Sequence, residues 1–126
     1  MARLAEVVVD ALHPAGLARF WAAVLDDFEV RAYDTAEIER LAAAGRTPDT
    51  DPSVALDGPA FTVFFQETAQ SKRSRNRIHF DVVAQDVAAE VQRLVALGAS
   101  VRDRRDGYTV LQDPEGNEFC VKAAKP

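Results

Sequence analysis

Glu6, Asp10, His79, Asp81, Glu118 and Cys120 are the residues of this chain whose types could do chemistry together. A carboxylate in a semi-buried wall has its pKa raised toward working pH, which suits Glu6 or Asp10 to general-base work. The plain alternative is a solvated wall. His79 reads first as an imidazole hydrogen-bonded to a carboxylate such as Glu6 or Asp81, and only second as a metal ligand. Cys120 as a nucleophile would need a cation to depress its pKa, and acidic surroundings push the other way. Its plainer reading is a small, soft residue filling a strand position. Glu6 and His79 are therefore the catalytic candidates.

Strand periodicity is what must position these groups. Leu4–Ala11, Ala60–Gln66, Ile78–Val83 and Asn117–Val121 read as strands, rich in valine and phenylalanine. On one face of them fall Val7, Val9, Ala11, Phe61, Val63, Phe65, Phe80, Val82, Phe119 and Val121, all apolar. On the other fall Glu6, Val8, Asp10, Thr62, Phe64, Gln66, His79, Asp81, Val83, Glu118 and Cys120. Glu6, Asp10, Thr62, Phe64, Gln66, His79, Asp81, Glu118 and Cys120 are expected to line a pocket.

Two amphipathic helices fit the apolar face. One opens at His13-Pro14 and carries Leu17, Phe20, Trp21, Val24 and Leu25 as its stripe. The other is capped by Asp86, carries Val87, Val91, Leu94 and Val95, and ends at Gly98. Phe28–Tyr33 reads as a strand, and Asp34-Thr35-Ala36-Glu37 as a capping box opening a short helix closed by Gly45. Residues 46–59 read mostly as loop, with a short strand at Ser53–Leu56. Lys72, Arg73, Arg75 and Arg77 mark a solvated linker. Ala99–Arg102, a turn at Asp106-Gly107 and Tyr108–Gln112 complete the second half.

The order is strand, helix, strands, given twice. Glu6 aligns with His79 at an offset of 73 (79 − 6), and Gln66 with Cys120 at an offset of 54 (120 − 66). The fold expected is α+β: two βαβββ modules forming a cupped eight-stranded mixed sheet, with helices on its outer face. Module one spans about 1–70 and module two about 71–126 of a single domain.

Composition narrows the function. The chain has 126 residues, 48% of them hydrophobic, and a net charge of −5, so nucleic acid is not the expected partner. A single cysteine excludes an internal disulfide and fits a reducing compartment. The N-terminus resembles no signal peptide, and no stretch approaches the roughly 20 apolar residues of a membrane span. A cytoplasmic protein with no membrane partner is expected.

The closing stretch DPEGNEFCV, a proline turn running into a strand, resembles the last strand of the vicinal oxygen chelate superfamily, in particular its small glyoxalase-like proteins. That superfamily includes glyoxalases, bleomycin-resistance proteins and extradiol dioxygenases. The resemblance implies the cupped fold, a homodimer, and four metal positions that fall here on Glu6, Gln66, His79 and Cys120. Only His79 matches the usual type at its position. A carboxylate, an imidazole and a thiolate could hold zinc, but an amide oxygen is a poor fourth ligand. No cofactor is therefore assigned, and a divalent metal is the minority expectation. The function implied is binding of a small oxygenated or aromatic molecule, as a lyase or isomerase or as an antibiotic-sequestering protein of the bleomycin-resistance type.

Overall fold

Valines at alternate positions make the first strand, β1 (Glu6–Ala11), which runs parallel to β4 (Thr62–Glu67). The computed structural model describes Met1, residues 3–72, Ser74, Asn76 and residues 78–124. Between the two strands come α1 (Pro14–Val24), β2 (Glu29–Val30), α2 (Thr35–Ala43), a 3-10 turn at Pro48–Thr50, and β3 (Ser53–Asp57). The second half repeats the plan with β5 (Phe80–Ala84), α3 (Val87–Leu97), β6 (Ser100–Arg105), β7 (Tyr108–Gln112) and β8 (Glu118–Ala123). The strand orders, β1-β4-β3-β2 and β5-β8-β7-β6, are the same. Each half is a βαβββ unit whose first and last strands pair in parallel and whose other pairs are antiparallel. The fold is α+β, with eight strands in two four-stranded mixed sheets. The chain divides into two compact units, Met1–Ser71 and Lys72–Pro126.

In each unit a helix covers the apolar face of its own sheet. Under α1 lie Val63 and Phe65, 2% and 0% exposed, and the helix contributes Leu17, Phe20 and Trp21. The rings of Phe20 and Trp21 meet edge to face at 5.5 Å, so both serve the core. Under α3 lie Phe119 and Val121, both fully buried, together with Leu111. The expected stripe of α3 narrows to Val91 and Leu94, because Val95 is 45% exposed.

Local signals hold where side-chain chemistry fixes them. Asp34 and Glu37 form the capping box of α2, Asp86 caps α3 through Ala89 N, and Gly98 ends it at φ 121°. His13 stands at the N-cap of α1, exposed, as expected. The strand expected over Phe28–Tyr33 shrinks to Glu29–Val30. Phe28 turns aside to stack edge to face on Phe61, over Gly58, whose missing side chain makes room for the ring. The short strand expected at Ser53–Leu56 is β3, one residue longer, between β2 and β4 with Val54, Ala55 and Leu56 buried. β6 runs on to Arg105 by way of a bulge between Val101 and Asp103. In the basic stretch Lys72 pairs with Glu118 across 3.0 Å, while Arg73, Arg75 and Arg77 lie outside the described residues.

Candidate functional site

Each sheet leaves one face open, and the expected polar set stands on it. Glu6, Asp10, Gln66, His79 and Asp81 are exposed, and Thr62, Phe64, Glu118 and Cys120 are partly so. Phe65 and Phe119, one residue away on the strands, are at 0%.

The ladders correct the repeat alignment at one strand. The helix N-caps His13 and Asp86 keep the offset of 73 (86 − 13), so Glu6 does correspond to His79. β4 and β8, however, match end to end at an offset of 56 (118 − 62), not 54. Gln66 therefore corresponds to Lys122, and the counterpart of Cys120 is Phe64. Two residues are one full strand period, so the face assignment survives the slip while the partnering changes.

In module one, Glu6 pairs with Thr62 across the β1–β4 ladder, Val8 with Phe64, and Asp10 with Gln66. Arg31 reaches over this face. Its Nε and Nη2 donate to Asp57 at 2.8 and 2.7 Å, and its guanidinium lies 5.5 Å from the Phe64 ring centroid. Thr62 Oγ1 donates to the same carboxylate at 2.8 Å. The bond from Arg31 holds the Asp57 carboxyl below its ordinary pKa of 3.8. A depressed carboxylate stabilises the fold above the ordinary carboxylate range, and that stability is lost as pH falls through the folded-state value. Urea midpoints measured from pH 6 down to pH 2.5 should accordingly fall less steeply below about pH 4 in Asp57→Asn than in the parent chain. Both partners are about half exposed, so the difference should stay within about 1 kcal/mol. Identical slopes would show that the fork contributes nothing.

In module two the chemistry is concentrated. His79, Asp81 and Cys120 bring one ligand atom each to within 4.8 Å of one another. Asp81 and Cys120 are ladder partners, and His79 precedes the strand on the same face. His79 Nε2 lies 3.1 Å from Asp81 Oδ1, and Lys122 Nζ lies 2.7 Å from Asp81 Oδ2. The bond from Lys122 draws the Asp81 carboxyl below its ordinary value. Burial first, and then the charge of Asp81, pushes the Cys120 thiol up, so Cys120 is not an activated nucleophile. Glu118 sits at the edge of this face. Burial raises its pKa, but the bond from Lys72 and backbone donors outweigh it, and the net shift is downward.

Imidazole, carboxylate and thiol are donor types that hold zinc. As arranged they do not fit a cation, because the Lys122 ammonium already neutralises Asp81 where an ion would bind. Of the four implied metal positions, Gln66 falls on the rung equivalent to that lysine, and Glu6 and Gln66 stand four rungs apart on the β1–β4 ladder.

A cleft of about 490 Å³ opens within module one, between α2 and the turn before β3. Tyr33, Arg40, Leu41, Arg46 and Asp51 line it. Tyr33 donates to Asp51 at 2.6 Å, and Arg46 ties this wall to Glu67 at 2.7 Å. Its signal in the sequence was the spacing of Glu37, Arg40, Leu41 and Ala44 on one side of a helix that buries nothing.

A glyoxalase-like domain model matches residues 6–122. No curated protein matches the chain. Among solved structures, a glyoxalase/bleomycin resistance protein/dioxygenase family enzyme from Burkholderia phytofirmans PsJN is 19% identical, with a TM-score of 0.68 over 98% of this chain and 100% of that one. The fosfomycin resistance protein FosX from Mesorhizobium loti is 14% identical, with a TM-score of 0.68 over 99% and 94%. A variant of FosX from Listeria monocytogenes, complexed with Mn(II) and 1S,2S-dihydroxypropylphosphonic acid, gives 14% and 0.65 over 99% and 92%. At these identities the likeness is one of fold. Among the described residues no helix is long and apolar enough to cross a membrane.

Proposed function

Because the chain belongs to the glyoxalase-like domain family, we propose that it binds a small oxygenated molecule on the open face of the module-two sheet, with His79 as its acid–base group. The observation that carries this reading is the contact between His79 Nε2 and Asp81 Oδ1 at 3.1 Å. A carboxylate so placed fixes the imidazole's orientation for proton transfer to or from a bound molecule. Lys122, half exposed, offers its remaining ammonium protons to a ligand oxygen. Chemistry of the lyase or isomerase kind needs no more than such a proton carrier beside a polarising charge. The small-molecule partner and a homodimer both belong to this proposal.

A second reading, sequestration without turnover, has its own support in module one. Phe64 with Arg31 over its ring, beside Val8 at 51% exposure, forms an apolar and cationic platform suited to an aromatic ligand.

Thermal-shift titration with fosfomycin, bleomycin and catechol tests both readings. A bound ligand raises stability by mass action, about 2.7 kcal/mol at a hundredfold excess over Kd. Asp81→Asn and His79→Ala should weaken binding by about tenfold, the loss of roughly one charge-assisted hydrogen bond. A binder unaffected by either substitution but weakened by Phe64→Ala favours sequestration on the module-one face. No shift with any of the three, or no effect of these substitutions, would contradict the proposal.

A further inference from the structure

We infer that Lys122 is a built-in cation standing in the place of a metal ion in the His79–Asp81–Cys120 cluster, and that removing its charge turns the cluster into a site for a thiophilic divalent ion. The inference is independent of which small molecule the open face takes. The two oxygens of Asp81 are divided between an imidazole at 3.1 Å and an ammonium at 2.7 Å. The three donor atoms lie within 4.8 Å of one another. A single ion at bond lengths of about 2.0–2.3 Å spans donors nearly 4 Å apart, so a closure of roughly 1 Å would complete the set. His79 and Asp81 are exposed and free to make that adjustment by rotamer changes.

What opposes an ion is charge. A divalent cation on Asp81 would sit against the Lys122 ammonium, and like charges a few ångströms apart repel appreciably even in water. Three protein donors would leave a fourth position open to water or to a ligand oxygen. Module one has no such cluster, since the equivalent rungs carry Glu6, Val8, Phe64 and Gln66. The lysine and the three donors thus occur together in one module only. The Lys122 side chain is half exposed.

Cobalt titration decides the matter, because thiolate-to-cobalt charge-transfer absorption can arise only at Cys120, the single cysteine. The reduced parent chain, Lys122→Met, Lys122→Gln and Lys122→Arg are titrated with Co²⁺ without oxygen, with far-ultraviolet circular dichroism to check the fold. Binding releases the Cys120 proton to buffer and seats the ion on the thiolate. The neutral variants should bind at least tenfold more tightly than the parent and show the band, which Cys120→Ser on the same background abolishes. Lys122→Arg keeps the charge and should behave as the parent. A parent chain that develops the band at the same Co²⁺ concentration as Lys122→Met would overturn the inference. So would folded neutral variants that develop none.

Discussion

Phe119→Ala should cost about 3–5 kcal/mol of stability, whereas Cys120→Ala, the next residue along β8, should cost less than about 1 kcal/mol. The contrast follows from alternation on one strand. Phe119 is fully buried, sits between Phe80 and Leu111 in the ladders, and faces α3. Truncation removes its transfer free energy and leaves a cavity that a paired sheet cannot collapse around. Cys120 points to the open face, where its loss leaves no void. Urea unfolding of the two variants gives the comparison directly. A drop in melting temperature of roughly 10 °C or more should accompany the first and not the second. Equal losses would mean that the partition of faces is wrong, and the site with it.

Asp113→Ala should cost about 2–4 kcal/mol. The turn before β8 reads as a generic Asp-Pro-x-Gly bend, and Gly116 N does donate to Asp113 O at 2.9 Å to close it. The side chain does more than suit a turn. At 3% exposure, it accepts the backbone N–H of Glu115 and of Asn117, each at 2.9 Å, and both its oxygens take Asn117 Nδ2. Alanine leaves these donors without their charged acceptor in a place with little access to water. Asparagine keeps one acceptor oxygen but turns an N–H toward the donors, so Asp113→Asn should fall in between. A loss below about 0.5 kcal/mol for alanine would show that water replaces the carboxylate freely. Because β8 carries Cys120 and Lys122, Asp113→Ala should also weaken ligand binding at the module-two cluster.

The fold was legible in the sequence because its strongest determinants are local. The valine run of β1, the stripe of α1 and the caps at Asp34 and Asp86 each state their element without help from afar. β3 was legible as a short strand at Ser53–Leu56, but its place in the sheet was not, because Pro48, Asp49, Pro52, Gly58 and Pro59 surround it and only the pairing of Val54–Leu56 with β4 fixes that place. The open face was legible too, since parity alone decides it. Partners were not. Nothing in the sequence distinguishes Gln66 from Phe64 as the counterpart of Cys120, because a slip of two residues leaves the pattern intact. Lys122 was missed as a neighbour of Asp81 for a related reason. It lies beyond the apolar run that marks the strand, at the end of β8, and only the ladder and a long flexible side chain bring its ammonium to the carboxylate.

The most direct test of the binding site uses the single cysteine. Cys120 in the parent chain is labelled with maleimide, with and without a saturating amount of whichever of fosfomycin, bleomycin and catechol raises the melting temperature. If that ligand rests on the face shared by His79, Asp81 and Lys122, it covers Cys120, and labelling should slow by about tenfold or more, in step with site occupancy. A ligand that stabilises the protein yet leaves the labelling rate of Cys120 unchanged would contradict this account, and would place the binding site elsewhere.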